Sequence, residues 1–185
     1  MKSRHLVIAA FAGFMLSIQP SLAGEKIELD YQYTGDPGVG LNSMIGGPLT
    51  VSAFVDQRDI TDKNHINRTN HEAVSLEPAP TELIRQTFVQ AFDSAGATLA
   101  DGEAPLTLSG KLLEMEIEEG ADGVAVLIRC ELTLNNQGRN AWQSVVFSRV
   151  VVAGDDVAAA ISQSLDRLVS ELFLDDYFLM ELGIF

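Results

Sequence analysis

Five side chains of metal-binding type fall within one polar stretch: Asp56, Asp59, Asp62, His65 and His71. Carboxylates and imidazoles are the ligands that divalent cations take. Their spacing follows no calcium loop, which needs a central glycine and a terminal glutamate, and no zinc signature. Arg58 stands among the acids and can pair with Asp56 or Asp59. The stretch therefore reads as a solvated loop held by a structural clasp of Asp56, Arg58 and Asp59. A second set, Glu114, Glu116, Glu118 and Glu119, has the spacing of paired carboxylates that can act as general acid and base. On a strand, residues two apart share one face, and a wet face keeps both carboxylates ionised. Gly35, Gly38 and Gly40 follow neither a dinucleotide fingerprint nor a P-loop, and no lysine with a hydroxyl neighbour comes after them. Cys130 is the only cysteine. It lies in an apolar row, where a small buried hydrophobe is expected. No catalytic residue, metal ligand or cofactor site is expected from these sets.

The elements that carry these residues are ordered around residues 106–152. Val124, Val126, Ile128, Cys130, Leu132 and Leu134 alternate without a break, so one face of a middle strand is committed to a core. Gly120-Ala121-Asp122-Gly123 and the stretch from Asn135 to Asn140 read as hairpin turns on either side. In the first strand the apolar parity changes between Leu112 and Leu113, which predicts a bulge or bend with Gly110 as its candidate site. Arg129 is expected to meet a glutamate across the ladder. The third strand, from Trp142 to Val152, carries apolar residues on both faces near its end. That end is expected to be central or covered on both sides, and a dimer or partner surface there is a candidate.

Upstream, Ile27, Leu29, Tyr31 and Tyr33 alternate as a short edge strand, and Pro48–Gln57 reads as a second strand. Ala73–Leu76 can add another. Thr81–Ala95 has helical apolar spacing, with Thr81 as expected N-cap and Gly96 at the C-terminal left-handed position. Val157–Phe173 is the stronger helix, capped by Asp155 or Asp156. The predicted fold is α+β: a two-layer sandwich in which an antiparallel sheet, the three-strand meander plus one or two further strands, carries two helices on one face.

The N-terminus reads as a targeting segment. Lys2, Arg4 and His5 precede the apolar run Leu6–Ile18, which is too short for a spanning helix, and Ser21-Leu22-Ala23 offers a cleavage site. Residues 1–23 are thus expected to be a signal peptide and 24–185 a single domain, periplasmic and soluble. Glu25 stands where a lipoprotein signal would place its cysteine, so no lipidation is expected. No integral membrane segment is expected in the mature chain. The formal net charge is −14, and −16 without Lys2 and Arg4. Such a balance argues against nucleic acid and anionic headgroups as partners.

After Asp175-Asp176 the chain turns apolar, with Tyr177, Phe178, Leu179, Met180, Leu182, Ile184 and Phe185. Tyr177, Phe178, Met180, Ile184 and Phe185 are the candidate partner contacts.

In its ordered set of features the chain resembles the YajG-like bacterial envelope lipoproteins. The resemblance runs from Gly47 to about Leu182. It is carried by Gly47-Pro48-Leu49-Thr50-Val51-Ser52 leading to Asp56-Gln57-Arg58, by Ala95-Gly96-Ala97, by Leu106-Thr107-Leu108 with Glu119-Gly120, and by the closing helix with Asp175-Asp176. Members of that family are lipid-anchored, and this chain departs at Glu25. The resemblance brings no catalytic residue with it. The function expected is a non-catalytic periplasmic binding or adaptor protein of the cell envelope, with envelope proteins as partners. Two alternatives stand beside it: a subunit of an envelope homo-oligomer or transport-accessory complex, and a metal-dependent enzyme using the Asp56–His71 loop.

Overall fold

A computed structural model describes residues 25–69 and 71–184. The expected signal peptide and Phe185 lie outside the described residues. Strands β1 (Lys26–Glu28), β2 (Leu49–Val51), β3 (Val55–Asp56), β4 (His65–Arg68) and β5 (Val74–Glu77) precede helix α1 (Pro80–Ser94). The meander follows as β6 (Leu106–Gly120), β7 (Gly123–Asn136) and β8 (Arg139–Val152), then α2 (Val157–Phe173) and α3 (Asp176–Leu182).

The meander forms as its periodicity requires. β6 and β7 pair antiparallel from Leu106↔Asn136 to Gly120↔Gly123, and β7 pairs with β8 from Val124↔Val152 to Asn136↔Arg139. The β7–β8 turn needs left-handed backbone at two positions, and Gln137 (φ 51°) and Gly138 (φ 83°) supply it. Val124, Val126, Ile128, Cys130, Leu132 and Leu134 are all buried, and their row joins the buried stripes of the helices in one core. Burial pushes the Cys130 thiol up to about 12, which keeps it protonated and unreactive.

The sheet is mixed, and this corrects the antiparallel expectation. It holds eight strands in the order β1-β5-β4-β6-β7-β8, with β2 and β3 also paired to β6. β2, β3 and β4 all run parallel to β6 and follow one another along its free side, opposite Leu106–Leu108, Lys111–Leu112 and Glu116–Ile117. Pieces of two to four residues carry too little periodicity to declare a partner so far along the chain. Pro48–Gln57 is accordingly two strands, not one. Between them Phe54 turns inward, lies over Gly110 and stacks with Phe88 at 5.8 Å between ring centroids.

That contact also reassigns Gly110. The β6 register shifts between Leu112 and Glu114, so the bulge is at Leu113. Gly110 stays in register because a side chain there would collide with the Phe54 ring: a Cβ would come within 2.1 Å of it.

Three helices are present among the described residues, not two, since residues 176–182 form α3. α1 begins at Pro80 with Ala79 before it, so Thr81 is inside the helix and not its cap. A proline at the first helical position needs no hydrogen-bond donor, which lets the helix start there. Asp156 caps α2 by accepting from the Ala159 amide at 2.9 Å. In α2, the buried Ser164 hydroxyl donates to the Val126 carbonyl of β7 at 2.8 Å. β8 is an edge strand and not a central one: Val145, Phe147 and Val151 of its outer face are exposed.

Candidate functional site

The polar stretch after β3 is organised by Arg58, which is buried (5 % exposed). Its guanidinium takes the Asp56 carboxylate in a fork, Nε to Oδ1 at 3.0 Å and Nη2 to Oδ2 at 2.5 Å. It also donates to the carbonyls of His65 at 2.8 Å and Lys63 at 2.7 Å. The Lys63 ammonium in turn donates to the Arg58 carbonyl. β3 and β4 lie in line along β6, and the chain leaves the sheet between them. Arg58 closes the base of that excursion, so the pair holds two separate strands in one row. Burial by itself would raise the Asp56 carboxyl; the hydrogen bonds and charge of Arg58 outweigh it and hold the carboxyl below the usual range. Asp59, the third expected member of the clasp, is exposed and forms no ion pair among the described residues. The sequence alone could not tell which neighbour Arg58 would take.

The remaining metal-type residues are dispersed. His65 Nδ1 meets Asp62 at 2.9 Å, and His71 Nε2 meets Glu119 at 2.9 Å. Glu119 also accepts from Arg68 Nε at 2.6 Å, and Arg68 reaches Glu25 at 2.7 Å. Among the described residues no group of three or more His, Cys, Asp and Glu is placed to hold a metal ion. Of the other β6 glutamates, Glu114 pairs with Arg129 at 2.9 Å and Glu118 with Arg149 at 2.8 Å, while Glu116 forms no ion pair among the described residues. The Arg129 contact is the cross-ladder pair expected from the alternation.

The C-terminal segment divides its apolar residues. Phe178 is fully buried, 0 % exposed, and packs against Trp142 at 5.0 Å and Phe92 at 6.2 Å between centroids. It is a core residue, which removes it from the candidate contacts. Ile184 is half-buried and packed against the core. Tyr177 (75 % exposed) and Met180 (54 %) face outward one turn apart on α3. Leu174, just before α3, and Ile45 are exposed as well. Met180 and Ile45 line one shallow hollow with Gly46, Gln137 and Gly183. Gly183 (φ 82°) closes α3 so tightly on this segment that a Cβ would lie 2.9 Å from Ile45. The rigidity of the patch comes from Asp175. One carboxylate oxygen caps α3 through the Phe178 amide at 3.0 Å, and the other accepts from Trp142 Nε1 at 3.2 Å. α3 is thereby fixed to β8, and its outward side chains stand on a fixed base.

Sequence reasoning missed a second clasp. Asp166 of α2 accepts from the Tyr31 hydroxyl at 2.5 Å and the Thr34 hydroxyl at 2.8 Å. Gln90 of α1 accepts from the Tyr33 amide at 2.7 Å. Tyr31 and Tyr33 therefore tie the N-terminal segment across both helices and are not part of a strand. Burial first, then Asp166, raises the Tyr31 phenol, and burial with Asp166 and Asp36 pushes the Tyr33 phenol up to about 12. The one usable signal was the pair of tyrosines at an interval of two within a turn-rich stretch.

Among the described residues no helix is long and apolar enough to cross a membrane. No family model matches the chain, and no curated protein matches it. The fold is shared with solved structures. Protein XCC0632 from Xanthomonas campestris, of family DUF330, superposes with a TM-score of 0.64 at 18% identity, over 80% of this chain and 92% of that one. The hypothetical protein CT253 from Chlamydia trachomatis gives 0.51 at 8% identity, over 68% and 92%. Lipoprotein GNA1162 from Neisseria meningitidis is a looser likeness, with 0.42 at 9% identity over 66% and 92%.

Proposed function

We propose that this protein is a non-catalytic binding module of the bacterial cell envelope, exported and unlipidated, that offers the outer face of α3 to a protein partner. The observation that carries the reading is the division of the C-terminal segment. Phe178 and Leu182 spend their apolar surface on the core, while Tyr177 and Met180 hold theirs in water on a helix pinned by Asp175. Exposed aromatic and methionine side chains on a rigid support are the composition of an interface centre. The acidic chain favours a partner with a basic rim around an apolar centre. The signal-like N-terminus supports the compartment. The commitment of Asp56, Glu114 and Glu118 to ion pairs with arginine, and of His65 and His71 to single carboxylate contacts, supports the absence of catalysis.

The test is capture from a native envelope extract by the tagged protein beside a variant with Tyr177→Glu and Met180→Glu. Both positions are exposed, so the variant is expected to melt with the wild type. An envelope protein held by the wild type and lost at least tenfold from the variant supports the reading. Equal retention by the two, or the tagged protein remaining in the cytoplasmic fraction, refutes it.

A further inference from the structure

The sheet ends on one side in β8, fourteen residues long, and on the other in β1, three residues long. Among the described residues no backbone bond from another element reaches the outer edge of β8. The strand contains no proline, and a long unpaired edge without one is a template for another strand. Near its middle, Ser148 is buried at 1 % exposure, and its hydroxyl has no hydrogen-bond partner among the described residues. That side chain is enclosed on the inner face, so any register at this edge is set by the outer-face residues Val145, Phe147, Arg149 and Val151.

We propose that β8 is where a second copy of this chain adds, by antiparallel β8–β8′ pairing about a two-fold axis at Ser148. In that register Ser148 stands opposite Ser148 of the copy, with both side chains turned to the inner face of the sheet. On the outer face Phe147 stands opposite Arg149 of the copy, twice, which places a guanidinium against an aromatic ring. Val145 stands opposite Val151 of the copy, twice, so each of the three exposed hydrophobes of β8 gains a cross-strand neighbour. Charge favours the same occupant. The chain is strongly acidic, yet β8 carries no carboxylate and only Arg139 and Arg149 as charges. Two like-charged copies therefore meet along their least acidic strip. The paired span in that register runs from Ser144 to Val152 and leaves out Trp142 and Arg139, through which β8 meets α3, so the test here uses residues other than those of the α3 face.

Sedimentation of the purified protein, with cysteine cross-linking, tests the proposal. The wild type is expected to form a dimer. Phe147→Lys sets a lysine against Arg149 of the copy at both sites and is expected to weaken the dimer at least tenfold. Phe147→Glu meets the same arginine and is expected to leave the dimer intact. Circular dichroism shows that each variant is folded. The double variant Val145→Cys, Val151→Cys is expected to cross-link as a dimer, whereas each single variant is not. A monomer at high concentration overturns the proposal. So does a dimer that Phe147→Glu breaks, or one in which Val145→Cys alone cross-links.

Discussion

Replacing Arg58 by methionine removes the fork on Asp56 and the two donors to the Lys63 and His65 carbonyls while keeping most of the side-chain volume. Asp56 then stays in a site that is 10% exposed, with only the half-exposed Lys63 near it, 3.8 Å away. Breaking a buried pair by removing one partner costs about 3–5 kcal/mol. That is a large part of the ~5–15 kcal/mol by which a domain is stable. At about 2–4 °C per kcal/mol for a chain of this size, the melting temperature should fall by roughly 6–20 °C. Thermal and urea unfolding followed by circular dichroism measure it. The pH dependence gives a second check of opposite sign in the two proteins. In the wild type the folded Asp56 carboxyl lies below its unfolded value, so its contribution is full above the unfolded carboxylate range near pH 4. It is lost as pH falls further, through the folded value. In Arg58→Met, burial acts on the carboxyl nearly unopposed and raises it. The folded state then binds the proton more tightly than the unfolded state, and the variant should regain stability relative to wild type as pH falls from that raised value toward the unfolded carboxylate range near pH 4. A loss under about 1 kcal/mol at pH 7, or a gap between the proteins that widens on acidification, would refute the assignment of Arg58 as the residue that holds β3 and β4 in line.

Three further outcomes follow from the packing. Gly110→Ala should cost about 1–3 kcal/mol, because the new Cβ displaces Phe54 from its stack on Phe88; a urea midpoint equal to that of the wild type would contradict this. Tyr31 and Tyr33 should keep their protons above pH 10 in the folded protein, so tyrosinate absorbance lags behind that of the unfolded chain, and the stability they contribute is lost as pH rises beyond that range. Asp166→Ala should advance that titration and expose residues 31–34 to proteolysis, and an unchanged titration curve would count against the clasp.

The parts of the fold that were legible are those whose signal is local. The alternation from Val124 to Leu134 and the helical stripe from Val157 to Phe173 each contain enough repeats to fix an element and its buried face. β2, β3 and β4 were not legible as partners of β6, because each is two to four residues long and its ladder is set by residues about fifty positions away. The clasp showed the same divide. Arg58 beside Asp56 was visible, whereas its bonds to the carbonyls of Lys63 and His65 depend on a loop path that no side-chain pattern encodes. Phe178 and Tyr177 are neighbours of similar type, and only the placement of Trp142 and Phe92 decides which one is buried.

β6 has two unlike sides. Toward β7 it is zipped along nearly its whole length, and toward the N-terminal half it is met by three short strands in succession. The first side opens only as a unit, since each bond there is flanked by others. The second is patchwork, and any one piece can detach while its neighbours stay seated. Amide exchange should therefore divide along the middle of β6. Protection is uniform and deep on the meander side, and graded on the other, where β2, β3 and β4 each exchange at the rate of their own anchor: Leu49 in the core, Phe54 on Gly110, or Arg58 on the loop carbonyls. Length changes in the excursion between β3 and β4 would then be tolerated so long as Arg58 still spans its base, which makes that loop the place where the chain can vary without renegotiating its core.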